Sequence, residues 1–380
     1  MLNSLKLGII AGGQLAKMLV QEASKWDIVT FVLDNEQNCP ASGVASVFIQ
    51  GDHRDYAAVY DFGKQVDLLT FEIESVNIGA LLKLKSEGVQ IVPDPSVLEI
   101  IQDKGTQKQF FADHEIITSP FQLCKSKAEI IEAIACNRIR YPFVQKARKG
   151  GYDGRGVVII NAENELKDIM DCDSVIESKI DVSKEISVIA ARNRQGEIRC
   201  FPAVELIIEQ EENLVEKLLC PARISPTLAK KAESIALEVI KKLNMEGLLA
   251  VELFIDQHDD IYVNEVSPRP HNSGHHTIES VATSQFEQHL RAIFNLPLGS
   301  TSVIMPSVML NLLGEKGFTG PVVYRGIAES LAIEGVKIHL YGKQITSYNR
   351  KMGHVTILST SLEDALQKAL TVKKLIKVQS

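Results

Sequence analysis

The chain has 380 residues, of which 45% are hydrophobic and 23% charged, a composition that predicts a globular protein of two or three domains. Its net charge of −7 and its lack of a long basic run argue against nucleic acid or an anionic membrane as the main partner. No apolar run approaches the length of a membrane span, and the first residues lack a secretory signal pattern, so we expect a cytoplasmic protein.

The first part of the chain alternates between strand and helix patterns, which predicts a doubly wound parallel sheet. The predicted strands are LKLGIIA, IVTFVLD, ASVFIQ, VDLLTFEIE and VQIV, and the predicted helices cover 14–26, 55–65 and 77–86. The stretch PDPS at 93–96 restricts the residue before each proline to extended conformations, so a boundary is expected there. We therefore predict an N-terminal domain over residues 1–96.

The next part of the chain, residues 97–300, is predicted to form an α+β domain. Its helical patterns cover 103–113, 126–137 and 163–171, and antiparallel strands are expected over 184–219. A strong helix should then begin with Ser225 as N-cap and Pro226 as its first residue. Residues 301–380 are predicted to form a small C-terminal β-rich domain with a last helix near 362–375. The predicted fold class of the whole chain is therefore α/β and α+β.

A glycine turn, AGGQLA, follows the first predicted strand. Gly13 and Ala16 fit a dinucleotide-binding pattern, and Asp34 supplies its later acidic residue, although Ala11 replaces the first glycine. Backbone N–H groups at the start of the next helix would form an anion site. A purely structural turn, a phosphate contact and a full dinucleotide site all stay open.

A second glycine-rich stretch, RKGGYDGRG, covers residues 148–156 between the apolar runs YPFVQKA and VVII. A Gly/Ser linker would not carry these cationic side chains. A loop between strands can instead point its N–H groups at an anion. The pattern favours a phosphate clamp, with a plain mobile turn as the alternative.

Two glutamates are expected to face each other across a β-hairpin. Residues 248–256 and 261–266 have strand patterns. A four-residue loop between them would pair residue 256 with 261, Phe254 with Val263 and Glu252 with Glu265. Like charges placed directly opposite are destabilising unless something neutralises them, and Mg²⁺ binds through one or two carboxylates. The alternatives are a solvent-facing glutamate or a register shifted by one residue, which would separate the pair.

The segment VSPRPHNSGHHT follows this hairpin at once. It contains histidines that could bind zinc, but no cysteine or spaced carboxylate completes a tetrahedral set. The six cysteines of the chain also lack metal-type spacing, so reduced thiols are expected. We predict instead that Arg269, His271 and Asn272 handle an oxyanion or a phosphorylated substrate.

The motifs KGGYDGRG, NEVSPRPHNSGHHT, SQFEQHLRA and NRKMGH occur in this order along the chain. Together with the parallel sheet and the glutamate hairpin, they resemble the ATP-grasp superfamily of carboxylate–amine ligases. Within it they resemble the family of 5-(carboxyamino)imidazole ribonucleotide synthetases over nearly the whole chain. The resemblance implies a pre-ATP-grasp domain, a central ATP-grasp domain with a mobile lid near 115–176, and a small C-terminal segment.

The resemblance also implies a reaction. In that family, bicarbonate attacks the γ-phosphorus of ATP to give carboxyphosphate and ADP. Carboxyphosphate then carboxylates the amine of 5-aminoimidazole ribonucleotide, either directly or by releasing CO₂ beside it, and phosphate is left. Positioning, charge neutralisation and exclusion of water are what a protein must supply for such a step. ATP and Mg²⁺ are the implied cofactors, the partners are these small substrates, and a homodimer is implied.

Matching positions imply the residues that bind ATP and the metal. Glu252 and Glu265 would bind Mg²⁺, the loop would cover the phosphates, and the segment 177–180 would read the adenine. The implied nucleotide residues are Lys104, Lys146, Gly150, Gly151, Tyr152, Asp153, Gly154, Arg155, Gly156, Glu177, Ser178, Lys179, Ile180, Glu185, Asn264 and Glu265. Asp153 and Arg155 would also reach the reacting groups as catalytic residues.

Other matching positions imply the pocket for bicarbonate and the ribonucleotide. Arg269, His271 and Asn272 would be catalytic as well as substrate-binding. The implied substrate residues are Gln14, Glu74, Arg269, His271, Asn272, Ser273, Gly274, His275, Arg350 and Lys351.

The chain departs from the family's pattern at two places, and two alternative functions stay open. ELII at 205–208 lacks the amide and imidazole of the family's usual E-N-x-H pattern, and Ser267 stands where many ATP-grasp ligases have asparagine. A sister enzyme such as a formate-dependent glycinamide ribonucleotide transformylase would share the loop and the glutamates, and 267–276 distinguishes the two. A Rossmann redox protein would use AGGQLA but would leave Glu252 opposite Glu265 unexplained.

Overall fold

The computed structural model describes residues 5–151, 156–209 and 214–380. Six cysteines are free thiols. Across the described residues, no helix combines the length and apolar composition that crossing a bilayer requires.

The N-terminal part is the predicted doubly wound sheet. Its parallel strands have the order β3-β2-β1-β4-β5, and apolar clusters cover both faces. The elements are β1 (Lys6–Ile10), α1 (Gln14–Ser24), β2 (Val29–Asp34), β3 (Val47–Gln50), α2 (Tyr56–Gly63), β4 (Leu68–Phe71), α3 (Ile78–Ser86), β5 (Gln90–Ile91), α4 (Pro95–Ile101) and α5 (Lys104–Asp113). One predicted strand, VDLLTFEIE, is too long, because the chain leaves the sheet after Phe71.

A separate antiparallel sheet contains the strands on both sides of the glycine-rich loop. Its order is β6-β9-β7-β8, and its own apolar cluster includes Phe143 and Ile160. The elements are β6 (Phe121–Cys124), α6 (Lys127–Ala135), β7 (Phe143–Ala147), β8 (Val157–Ile160), a 3₁₀ helix over Glu163–Asp168 and β9 (Ser174–Ser178). The helix predicted over 163–171 is therefore a shorter and tighter one.

A large antiparallel sheet forms the centre of the molecule. The elements of this part are β10 (Val182–Arg192), β11 (Ile198–Cys200), β12 (Val204–Glu209), β13 (Leu214–Cys220), α7 (Pro226–Lys242), β14 (Gly247–Asp256), β15 (Ile261–Ser267), a 3₁₀ turn over Asn272–Gly274, α8 (Thr277–Ser280) and α9 (Gln285–Ile293). As predicted, the Ser225 hydroxyl accepts the Leu228 N–H and Pro226 begins α7. Ala232, Ala236 and Val239 bury one face of α7 against the sheet.

The C-terminal strands extend this same sheet. Within the described residues its order is β15-β14-β10-β12-β13-β16-β21-β19, with β11 paired to β10. The last elements are β16 (Ser307–Leu313), β17 (Gly320–Pro321), β18 (Val323–Arg325), α10 (Ile327–Leu331), β19 (Val336–Leu340), β20 (Ile345–Thr346), β21 (Lys351–Leu358), α11 (Leu362–Leu375) and β22 (Lys377–Gln379). The β13–β16 pairing makes the C-terminal segment continuous with the centre, while the exact domain boundaries stay predictions.

The ELII stretch, residues 205–208, lies in β12, and its carboxylate, Glu205, is buried. Glu205 is 3% exposed and accepts three hydrogen bonds from Arg223, through the backbone N–H and the guanidinium, at 2.6–3.1 Å. Ile208 packs with an apolar cluster that includes Leu218 and Met309. Burial alone raises the pKa of Glu205, but the hydrogen bonds from Arg223 outweigh it and hold that pKa below its ordinary value.

Arg223→Met should therefore destabilise the protein by about 3 kcal/mol at neutral pH, because it removes both guanidinium bonds to a buried carboxylate and leaves it only the backbone N–H and the longer contact with Lys184. The stabilisation from a carboxyl of lowered pKa is present above its unfolded pKa and is lost as the pH falls through its folded pKa. The difference in free energy of unfolding between wild type and variant, measured by urea unfolding, should therefore become smaller at acidic pH. Lys184→Met is the control, since Lys184 approaches Glu205 only to 3.4 Å and Arg223 remains; an equal loss there would contradict this assignment.

Candidate active site

A row of polar side chains crosses three strands of the central sheet. Ser187 on β10 pairs with Glu252 on β14, and Glu252 pairs with Glu265 on β15. Glu185 lies two residues before Ser187 and hence on the same face of β10. The predicted pairing of Glu252 with Glu265 is confirmed, so the two carboxylates share one face.

The rest of the predicted hairpin register is wrong by one residue. Phe254 pairs with Tyr262 and Ile255 with Ile261, whereas Val263 had been expected opposite Phe254. The Asp256 carboxylate accepts the N–H groups of residues 258 and 260, and the Asp256 N–H donates to the Asp260 carbonyl at 3.0 Å, so residue 256 faces residue 260 and not residue 261 as predicted. A β-bulge at Asn264 then inserts an extra residue and returns Glu265 to its place opposite Glu252.

Lysines from two other elements neutralise the carboxylates of this row. The Lys104 ammonium, at the start of α5, bonds to Glu265, and Lys146 on β7 donates to the Asn264 side chain at 2.6 Å. Burial and the charge of Glu265 raise the pKa of Glu252. Burial also acts on Glu265, but Lys104 and Lys146 outweigh it and lower the pKa of that carboxyl.

A second carboxylate, Glu177 at the end of β9, is 3% exposed and bound by two lysines. Lys108 and Lys146 lie 3.1 and 3.0 Å from its oxygens, and the Ser119 hydroxyl donates to it at 2.5 Å. Burial lowers the pKa of Lys108 to about 8, against the opposing charge of Glu177. Sequence reasoning missed Lys108, although its position four residues after Lys104 puts both lysines on one face of α5.

The predicted adenine segment, 177–180, follows directly. The N–H groups of Ser178 and Lys179 donate to the carbonyls of Pro120 and Pro142, so these two amides are already engaged. A base edge would be read by other backbone groups of the segment, which continues through Ile180. Burial raises the pKa of nearby Glu185, and Lys146 opposes that shift.

The described ends of the glycine-rich loop show why glycine is needed. Gly150 and Gly156 have φ of 77° and 72°, a conformation that side chains disfavour. Arg148 anchors the first end through two guanidinium bonds to Asp103, at 2.8 and 2.9 Å. The predicted residues Tyr152, Asp153, Gly154 and Arg155 lie outside the described residues, and Gly151 is the last one before that gap.

The segment after the hairpin lies beside the acidic row. Arg269 forms a 2.7 Å ion pair with Glu74, so two predicted substrate residues meet although 195 positions separate them. The Arg269 Nε and the Asn272 Oδ1 are buried without a hydrogen-bond partner among the described residues. A donor and an acceptor of this kind are suited to a bound polar molecule.

His271 connects this segment to the proposed metal ligands. Its Nε2 lies 3.4 Å from the Glu252 carboxylate, and its Nδ1 lies 2.9 Å from the Ser273 hydroxyl. Ser273 in turn lies 2.9 Å from Ser187, which sequence reasoning also missed. The predicted metal ligand and the predicted acceptor pocket are therefore in direct contact.

His275 belongs to a buried stack of imidazole rings. Its ring lies 4.7 Å from that of His354, which lies 4.5 Å from that of His339, and Glu279 accepts from His339 at 2.5 Å. Burial lowers the pKa of His275 and of His354 well below the ordinary value. Neutral rings of this kind pack the acceptor loop against the C-terminal strands.

The N-terminal glycine turn is not an open anion site. Its N–H groups already donate to carboxylates: Gly12 to Asp34 at 2.6 Å, and Gly13 and Ala16 to Glu72 at 2.5 and 2.8 Å. Of the three interpretations left open by the sequence, these bonds favour the purely structural turn at Gly12, Gly13 and Ala16. Burial raises the pKa of Glu72 to about 7 despite these bonds.

The remaining predicted substrate residues lie where the C-terminal segment meets α1. Gln14 is the first residue of α1, and Lys17 of the same helix donates to two carbonyls at Leu340 and Tyr341. Arg350 donates to the Ile345 carbonyl at 2.8 Å, and Lys351 begins β21.

Lys343 adds a cation that the sequence did not single out. Its ammonium donates to the Lys351 carbonyl at 2.8 Å. Burial and Arg350 lower its pKa to about 8, while Glu72 of the glycine turn opposes the shift. Basic side chains of the C-terminal segment thus lie close to the glycine turn.

A carboxylate pair on a β-ribbon, faced by two lysines and preceded by a glycine-rich loop, defines an ATP-grasp enzyme, and an ATP-grasp domain model matches residues 109–286. A ribonucleotide synthetase preATP-grasp domain matches residues 4–102, and a phosphoribosylaminoimidazole carboxylase C-terminal domain matches 307–368. The N5-carboxyaminoimidazole ribonucleotide synthase of Bacillus subtilis is 34% identical over 95% of this chain and 93% of that protein. The chain belongs to the N5-carboxyaminoimidazole ribonucleotide synthetase family.

Solved structures agree with this placement. The N5-carboxyaminoimidazole ribonucleotide synthetase of Thermotoga maritima is 42% identical, with a TM-score of 0.91 over 99% of both chains. The Aspergillus clavatus enzyme, solved with ADP and 5-aminoimidazole ribonucleotide, is 30% identical with a TM-score of 0.90 over 98% of this chain and 99% of that one. A longer relative, the chloroplastic phosphoribosylaminoimidazole carboxylase of Vigna aconitifolia, is 37% identical, and this chain spans 64% of its length.

Lys108→Met tests the buried lysine that sequence reasoning missed. Removing one of the two ammonium groups on Glu177 should lower the free energy of unfolding by about 2 kcal/mol, because a buried hydrogen bond to a charged group is lost while Lys146 still pairs with the carboxylate. Lys146 would then neutralise Glu177 alone, so we expect roughly tenfold weaker ADP binding by calorimetry, equivalent to about 1.4 kcal/mol. Lys373→Met removes an exposed ion pair with Glu216 and should change either quantity little. Unchanged ADP affinity in a folded Lys108→Met would contradict the role.

Proposed function

We infer that this protein catalyses the ATP-dependent carboxylation of 5-aminoimidazole ribonucleotide by bicarbonate, with release of ADP and phosphate. The observation that carries this proposal is the contact between His271 and Glu252, because it joins a phosphoryl-transfer site to an acceptor pocket. Family membership agrees, since a relative was solved with ADP and this ribonucleotide. The reaction belongs to purine biosynthesis.

The residues present fit a magnesium ion. Glu252 and Glu265 are opposed on one face, and their mutual repulsion is what raises the pKa of Glu252 beyond the effect of burial. Among the described residues, no group of three or more His, Cys, Asp or Glu side chains could hold a metal. Two carboxylates with oxygens from a triphosphate and water suit Mg²⁺. When bound, the ion would neutralise charge on the phosphate chain.

The surrounding cations have roles that follow from their positions. Lys104 now pairs with Glu265, and Lys146 pairs with Glu177 and donates to the Asn264 side chain. Both ammonium groups would turn part of their charge to the ATP phosphates. Residues 150–156 would cover those phosphates, and 177–180 with Glu185 would hold the adenosine. Charge-assisted hydrogen bonds to a transferring phosphoryl group stabilise it most where water is excluded.

The acceptor side would hold bicarbonate and the amine. Arg269, held by Glu74, and Asn272 each present a buried polar atom, and His271 lies between them and Glu252. Bicarbonate beside Arg269 would attack the γ-phosphorus with ADP as the leaving group. The resulting carboxyphosphate would carboxylate the amine directly or through released CO₂, with phosphate as the second product. Ser273, Gly274 and His275 would shape the pocket, with Asp153 and Arg155 of the loop closing it.

The ribonucleotide would extend from this pocket toward the glycine turn. Gln14, Glu74, Arg350 and Lys351 keep the roles proposed from the sequence, and Lys343 joins them as a phosphate-binding cation. Since carboxylates already occupy the amides of the turn, the phosphate would be bound by side chains. A cytoplasmic homodimer is part of the proposal.

The substrate requirement tests the reaction directly. ADP release should need both bicarbonate and 5-aminoimidazole ribonucleotide, because neither alone completes the acceptor site. The competing pair is glycinamide ribonucleotide with formate, assayed under the same conditions. Turnover with the second pair only would replace the proposed reaction with that of a transformylase.

Glu265→Gln tests the carboxylate pair. The neutral amide keeps the shape but removes half of the metal site, so MgATP turnover should fall by roughly a hundredfold or more. Glu246→Gln, at a carboxylate paired with Arg194 away from the site, is the control and should keep full activity. Circular dichroism should show both variants folded. Near-normal turnover in Glu265→Gln would overturn the metal role.

A further inference from the structure

Gln285 is a buried residue that is not among the predicted nucleotide, metal and substrate residues. It is the first residue of α9, within the motif SQFEQHLRA, and its relative exposure is 0%. A buried amide has two donors and an acceptor that must be satisfied. Its partners are therefore informative about its purpose.

The Gln285 side chain pairs with both backbone groups of His271. Its Oε1 accepts the His271 N–H at 2.9 Å, and its Nε2 donates to the His271 carbonyl at 2.7 Å. The same Nε2 lies 3.4 Å from Nδ1 of His275. One amide thus holds the start of the 271–275 turn in the way a neighbouring strand would.

The end of the same turn is held through the Gln285 backbone. Its N–H donates to the Thr277 hydroxyl at 2.8 Å, and that hydroxyl donates to the Gly274 carbonyl at 2.5 Å. A Cβ on Gly274 would lie 2.4 Å from the Gln285 Oε1 and 2.6 Å from Ile189. Gly274 is therefore needed because the glutamine packs flat against the turn.

This arrangement determines where the His271 imidazole points. Fixing the backbone on both sides of its Cα leaves the side chain only its own rotamers, and Ser273 and Glu252 select among them. We propose that Gln285 is a positioning residue, which places His271 of the acceptor pocket against the Glu252 carboxylate. The proposal rests on the proposed role of His271.

The role requires glutamine and not merely a residue of its size. An ionised glutamate would accept the His271 N–H but could not donate to the carbonyl, and methionine could do neither. Either change leaves at least one backbone group of the 271–275 turn unpaired. A displacement of about 1 Å in such a turn can cost roughly a hundredfold in rate.

Gln288 is a matched control in the same helix. It is also fully buried, and its amide pairs in the same way with one backbone residue, Gly299, at 2.8 and 3.0 Å. Gly299 is not part of the proposed site. Gln285→Met and Gln288→Met therefore remove equivalent hydrogen bonds and differ in whether the acceptor turn is involved.

The experiment compares these two variants with His271→Ala. For Gln285→Met we expect kcat/KM for 5-aminoimidazole ribonucleotide to fall roughly ten- to hundredfold, while ADP affinity by calorimetry stays within about twofold. Gln288→Met should show a similar drop in thermal stability with kinetics near wild type. Parallel losses of activity in both variants, or unchanged kinetics in Gln285→Met, would overturn the proposal.

A double variant separates positioning from general destabilisation. If Gln285 acts through His271, adding Gln285→Met to His271→Ala should cost little further activity, whereas independent effects would multiply. If Gln285→Met does not fold, Gln285→Glu replaces it in every comparison. Full activity in His271→Ala would refute the proposed role of His271, whereas a defect there with a normal Gln285 variant would refute only the positioning role.

Discussion

The site depends on two carboxylates that the central sheet forces to face each other. Glu252 and Glu265 stand directly opposite on adjacent strands, where like charges repel and burial weakens the screening by water. The chain offsets this repulsion with Lys104 on one carboxylate and with a raised pKa on the other. A bound magnesium nucleotide would relieve the same repulsion, because its cation would neutralise the same two carboxylates.

The same solution recurs around the site, because buried charges have to be paired before any substrate arrives. Glu74 holds Arg269, and Glu72 occupies the amides of the glycine turn. Glu177 holds Lys146 and Lys108. Substrates would therefore displace these internal partners instead of meeting unpaired charges.

Several features could be predicted because they depend on local pattern. The doubly wound sheet and the Ser225 cap follow from periodicity and capping chemistry, and the family motifs pointed to the ATP-grasp class. The predicted Glu252–Glu265 pairing is also correct, but only because the bulge at Asn264 offsets the register error at the turn. The register near Phe254 was wrong because the Asp256 turn and the Asn264 bulge offset each other, and neither leaves a clear trace in the hydrophobic pattern. The role of the glycine turn stayed open in the sequence because its carboxylate partner, Glu72, follows a different strand and is 59 positions away from Gly13.

The sequence by itself determined the class of fold, the face of the hairpin that carries the carboxylates and the motifs that identify the family, since side-chain spacing sets which residues share a face. Only the tertiary structure decided which charges meet. The spacing of Lys108 places it on the same face of α5 as Lys104 but does not show what that face meets, and Gln285 has the spacing of an ordinary helix residue. Their partners, Glu177 and His271, lie on other elements, and a contact between distant elements depends on packing that no local pattern encodes.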